Sequence, residues 1–120
     1  MKTTKAQFKA FKESFLAWQI KLGLTQYQPY FYHEPLDDPY ADIIVNELEK
    51  ICSVRMCTDL NSINLKSFQP QVHGDHECIH LAVNRLGWLG QQRCIENCDL
   101  NEESEALVRR LQHVLIGGEL

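Results

Sequence analysis

Apolar residues along this chain fall into six segments whose spacing predicts their structure. From Lys5 to Leu22, the residues Phe8, Phe11, Phe15, Trp18 and Leu22 recur at three- and four-residue steps, one face of an amphipathic helix, and Gly23 is its natural stop. Tyr27 to Glu34 is aromatic-rich and is broken by Pro35, Asp37, Asp38 and Pro39, which reads as a strand followed by a turn. Two more strands are expected, Tyr40 to Glu47 and Ile51 to Thr58, joined as a hairpin through Leu48, Glu49 and Lys50; Ile43, Ile44 and Val45 supply β-branched residues to the first.

Asn61 to Gln69 reads as a connection. Pro70 suits the first turn of a helix, where its missing N–H would have no partner, and that helix should run to about Leu86 before Gly87 and Gly90 end it. A last helix should begin near Asp99 to Asn101, carry Leu107, Val108, Leu111, Val114 and Leu115, and stop at Gly117 and Gly118. The order helix, three strands, helix, helix predicts an α+β fold with a three-stranded, mostly antiparallel sheet. Its length of 120 residues fits one domain spanning 1–120.

Composition narrows the function classes. Sixteen acidic residues outnumber 12 basic ones, and the basic ones are scattered, so nucleic acid is not an expected partner. No segment approaches the roughly 18 apolar residues that span a bilayer, and no apolar stretch follows the first lysines, so a cytoplasmic location is expected and no membrane partner. Five cysteines, an odd number at positions 52, 57, 78, 94 and 98, do not resemble a disulfide framework and are expected to be reduced thiols.

The chemistry concentrates in His76-Glu77-Cys78-Ile79-His80, an HExxH sequence on the Pro70 helix. Residues four apart on a helix differ by about 40° in direction, so both imidazoles leave one face and can bind one ion. Glu77, about 100° from His76, can reach a water on that ion without strongly ligating it. Val72, Ile79, Val83 and Leu86 fall beside the histidines on the wheel, which predicts that His76 and His80 sit on the inner, partly buried side. His73 lies on the same side one turn earlier, as a rival ligand or a supporting residue.

Zinc with an open catalytic position takes three protein ligands. With Leu107, Leu111, Val114 and Leu115 as the buried stripe of the last helix, Glu103 lies at its margin, Glu105 is intermediate and Glu102 points away. Glu103 is the preferred third ligand, with Glu105 and Glu102 as alternatives; acidic residues also favour a first helical turn simply by complementing its dipole. Cys78 cannot pair with His80 as a nucleophile, because residues two apart diverge by about 200°.

These motifs look like the gluzincin branch of zinc peptidases, in which a helix after the HExxH helix donates a glutamate. More closely, the chain resembles small metallopeptidase-like proteins of phages and prophages, with an N-terminal helix, a short sheet, an HExxH helix and a C-terminal helix. The likeness covers most of the chain, including Tyr40-Ala41-Asp42-Ile43, Gly87-Trp88-Leu89-Gly90 and Glu105 to Leu111. It departs at Asn101-Glu102-Glu103-Ser104-Glu105-Ala106, which stands where larger gluzincins have Asn-Glu-x-x-x-Asp. The resemblance implies a minimal zincin-like domain, one zinc ion per chain, a peptide or protein substrate, and the cytoplasm of a bacterial host for a phage-encoded chain.

The expected mechanism has Glu77 as general base for water whose pKa the ion lowers toward about 7. An edge strand, Ile51 to Thr58, is the candidate for aligning an extended substrate. Tyr40, Arg55 and His113 are candidates for stabilising an oxyanion. The alternative is a non-catalytic zinc-stabilised interaction module, closed by a fourth ligand such as His73 or a cysteine. Cys94 and Cys98, four apart, form a looser candidate metal pair.

Overall fold

The structure, a computed structural model, describes residues 2–37, 40–92 and 97–116. Helix α1 (Lys5–Lys21) starts at Thr4, whose side chain accepts from the Gln7 amide while the Gln7 side chain returns to the Thr4 amide, a capping box. It ends where the sequence predicts. Gly23 takes a φ of 68°, its amide bonds the Ile20 carbonyl and the Leu24 amide bonds that of Gln19, which closes the helix end. Phe11, Phe15 and Leu22 are buried, and Phe8 and Trp18 pack at the margin of the same core.

Strands β1 (Gln28–Glu34), β2 (Ala41–Asn46) and β3 (Ile51–Cys57) form one sheet in the order β1-β3-β2. The fold is α+β as expected. Its sheet is mixed, with β2 antiparallel to β3 across the hairpin and β1 parallel to β3 on the other side. The alternation of β3 sends Cys52, Val54 and Met56 into the core, and register aligns Phe31 of β1 and Ile43 of β2 with Val54. The opposite face carries Tyr30, Tyr32 and Ile44, all exposed, and Arg55, which pairs with Asp42 and Glu34.

Between the hairpin strands, Lys50 adopts a left-handed φ of 57° and its ammonium reaches Glu47. The segment read as a plain connection contains a short helix, α2 (Ser62–Ser67), whose start is fixed by Asn61 accepting the Asn64 amide at 2.8 Å. Helix α3 (Pro70–Gly90) begins with proline as expected but runs through Gly87 to Gly90. Burial of Leu89 and the stacking of Arg85 over Trp88 favour that extra turn over the break that the glycine suggested. Helix α4 (Asn97–Ile116) starts slightly earlier than predicted. Asp38, Pro39, Gly117 and Gly118, called as turn and helix stop, lie outside the described residues. No helix among the described residues is long and apolar enough to cross a membrane.

The helical layer is set by a close approach of α1 and α3. A Cβ on Gly74 would stand 2.6 Å from the Phe11 carbonyl oxygen, so only glycine lets the two backbones meet there. Gly74, Cys78 and Ala82 then form a buried stripe of small residues at four-residue steps, with Glu77 and Leu81 beside it. This corrects the wheel. Val72, Ile79 and Val83 are exposed, and so are His76 and His80, because the buried side of α3 is the small-residue side that meets α1.

Candidate metal and substrate cleft

Helix α3 and the edge strand β2 run side by side in the same direction. At their starts, the rings of Tyr40 and His73 are 4.3 Å apart, and at their far ends Asn84 donates to Glu47 at 2.9 Å. Between them lies a cleft of about 480 Å³. Tyr40, Ala41, Asp42 and Ile43 line it consecutively, side chains of both orientations, so β2 borders the cleft by its backbone edge. Among the described residues β2 pairs with β3 alone, which leaves that edge free.

His76, Glu77 and His80 line the same cleft from α3. The helical spacing delivers what it predicts: the Nε2 atoms of His76 and His80 stand 3.0 Å apart, with the rings edge to face. At that distance an Nε2–H of one ring can donate to the Nε2 lone pair of the other, the roles being set by the tautomers. Two zinc–nitrogen bonds of the usual length at a tetrahedral angle would space these nitrogens about 3.3 Å apart, so the pair fits one ion with small ring rotations. Glu77 is buried, with 6% exposure, and faces the cleft from one residue along.

Neither a protein-family model nor a curated protein nor a solved structure matches the chain.

Glu103 does not line this cleft. Its carboxylate accepts from Arg85 Nε at 3.0 Å, and Arg85 lies five residues beyond His80, about 7.5 Å further along the helix axis. Glu102 and Glu105 border a separate depression with Asn101 and Arg109. Among the described residues, no group of three or more His, Cys, Asp or Glu side chains stands together as a metal site. His73 lines the cleft, but its Nδ1 donates to the Gln69 carbonyl at 2.8 Å and its ring packs against Tyr40 and Phe68.

Of the three groups considered for an oxyanion, Tyr40 alone lines the cleft, its hydroxyl 2.7 Å from Ser67 Oγ. Arg55 is committed to Asp42 and Glu34 on the outer face, and His113 lies on α4 away from the cleft. Cys78 is fully buried, and burial pushes its thiol up to about 12, with the neighbouring Cys52 and Asp75 adding to the effect. It is a core residue. Cys94 and the side chain of Cys98 lie outside the described residues.

The strand expected to align a substrate, Ile51 to Thr58, is the central one. Both its edges are used, by β1 and by β2, so it cannot accept another strand, and the free edge at the site belongs to β2. Sequence reasoning also missed Asn84. Its Nδ2 is held by Glu47, a buried carboxylate that also accepts from Tyr27 at 2.7 Å and from Arg85 at 3.4 Å. Burial raises the Glu47 carboxyl, but hydrogen bonds from Lys50, Tyr27 and Asn84 outweigh it and hold the group below the usual carboxylate range. The Tyr27 hydroxyl is pushed well above its ordinary range by burial and by Glu47.

Proposed function

We propose that the chain is a zinc-dependent hydrolase of peptide bonds, of the HExxH type that its sequence resembles. The observation that carries this reading is the convergence of the His76 and His80 Nε2 atoms, 3.0 Å apart, beside Glu77 in a cleft bordered by a free strand edge. In this reading His76 and His80 hold the ion. A zinc ion bound there supplies acidification of water and polarisation of a carbonyl.

The chain's own residues divide the remaining work. Glu77 takes a proton from the attacking water and returns it to the departing amine. Its burial keeps that carboxylate out of bulk solvent, where it would be screened and less directed. The free edge of β2 offers unpaired N–H and C=O groups, to which an extended peptide can add as a further strand lying over His76 and His80. Tyr40, fixed by Ser67 and by its stack on Phe68, closes one end of the cleft.

The test is Glu77→Gln. The variant should retain about one zinc per chain by elemental analysis and lose at least about a hundredfold in cleavage of unfolded protein substrates. Undiminished cleavage by the variant, or wild-type protein that binds no zinc, overturns the reading.

A further inference from the structure

The cleft changes character along its length. Tyr40 and His73 make one end aromatic and polar, whereas Ile43 and Val45 from β2 and Val83 from α3, one turn after His80, supply aliphatic wall, with Asn84, its amide held by Glu47, next to Val83. Val83 keeps 39% exposure and so has apolar surface to offer. No lysine or arginine is among the described lining residues, and the lining acids are Asp42, neutralised by Arg55, and Glu77. Just past the aliphatic end, Glu47 and Arg85 are paired with each other and with Lys50 and Glu103. Neither is free to balance an arriving charge.

Resting on the hydrolase reading, we propose that the substrate presents an uncharged aliphatic side chain, seated against Ile43, Val45 and Val83 while its backbone lies along β2. Successive side chains of an extended peptide alternate in direction, so a strand added to β2 turns every second residue toward the helix. A leucine-sized side chain at the aliphatic end removes apolar surface from water on both partners. A lysine or glutamate seated against these three side chains gives up hydration and finds no ion-pair partner among them; the remaining lining carboxylate, Glu77, lies beside the histidines and is absent from the Glu77→Gln protein used in the test.

The test uses the Glu77→Gln protein, so that peptides survive, with and without prior chelation of its metal. Capped heptapeptides of alanine and glycine carry one leucine, lysine or glutamate, walked through every position, and binding is measured by calorimetry. In at least one register leucine should bind about tenfold or more tighter than lysine or glutamate. Adding Val83→Lys should cut that preference about tenfold, Val83→Ala should cut it less, and circular dichroism should show both folded. Equal binding of the three peptides in all registers, no leucine binding, or a leucine preference that survives Val83→Lys overturns the proposal. Leucine-selective binding without any wild-type cleavage sinks the hydrolase reading and leaves the aliphatic wall standing. Cleavage without selection does the reverse.

Discussion

Arg85 donates from Nε to Glu103 at 3.0 Å, and the same guanidinium reaches Glu47 through Nη1 at 3.4 Å. One cation thereby joins the hairpin turn, α3 and α4. Glu103→Ala should loosen α4 and cost about 0.5–1.5 kcal/mol by urea unfolding, the range of a partly exposed charged hydrogen bond. Zinc content should stay at the wild-type level. Loss of zinc in this variant would instead put Glu103 at the ion, as the helical wheel had it.

His76 and His80 are exposed, and they meet each other through the 3.0 Å approach of their Nε2 atoms and an edge-to-face ring contact. Alanine at either should therefore change unfolding free energy by no more than about 0.5 kcal/mol in metal-free protein, as for other surface positions. Bound zinc should fall from about one per chain to under a tenth, since a single imidazole is a poor chelate. Variants that keep their zinc would mean the ion, if any, sits elsewhere.

Much of the scaffold was legible because its signals are local. Gly23 and Pro70 mark helix ends by chemistry that acts within one turn, and the alternation in Ile51–Cys57 follows from strand geometry. The neighbourhood of His76 and His80 in the cleft follows from helical spacing in the same way. What sequence alone did not yield depends on pairing between distant segments. Whether Ile51–Cys57 or Ala41–Asn46 owns the free edge is decided by where β1 docks, and nothing within either strand encodes that. The buried side of α3 misled for a related reason: its stripe is Gly74, Cys78 and Ala82, small residues chosen for the closeness of α1, while the bulkier Val72, Ile79 and Val83 face outward. Glu103 looked like a ligand because its charge partner, Arg85, comes from another helix.

The contact between Gly74 and Phe11 sets the spacing of the whole helical layer. A methyl group at Gly74 would lie 2.6 Å from a backbone oxygen and 3.1 Å from Ser14 Cβ, and backbone cannot swing aside as a side chain can. Gly74→Ala gains about 1 kcal/mol of helix propensity yet should still be net destabilising by about 1–3 kcal/mol, because overpacking displaces α1 from α3. Chemical denaturation measures this directly. A more stable Gly74→Ala protein would show that the two helices do not approach this closely in solution.

Glu47 should make stability depend on pH in a defined window. Its folded pKa is held below its unfolded value by hydrogen bonds from Lys50, Tyr27 and Asn84. The folded state therefore favours the carboxylate, and the stabilisation is complete above the unfolded pKa of about 4.3 and is lost as pH falls through the lower folded value. Glu47→Gln keeps the shape but removes the charge that these donors and Arg85 surround, and should cost about 2–4 kcal/mol at pH 7. Because the wild-type side chain is neutralised in acid, the gap between the two proteins should narrow below about pH 4.5 and be smallest near pH 3. Urea unfolding at pH 7, 5, 4 and 3 reads this out. A gap that stays constant over that range would mean that the carboxylate form of Glu47 is not what the network stabilises.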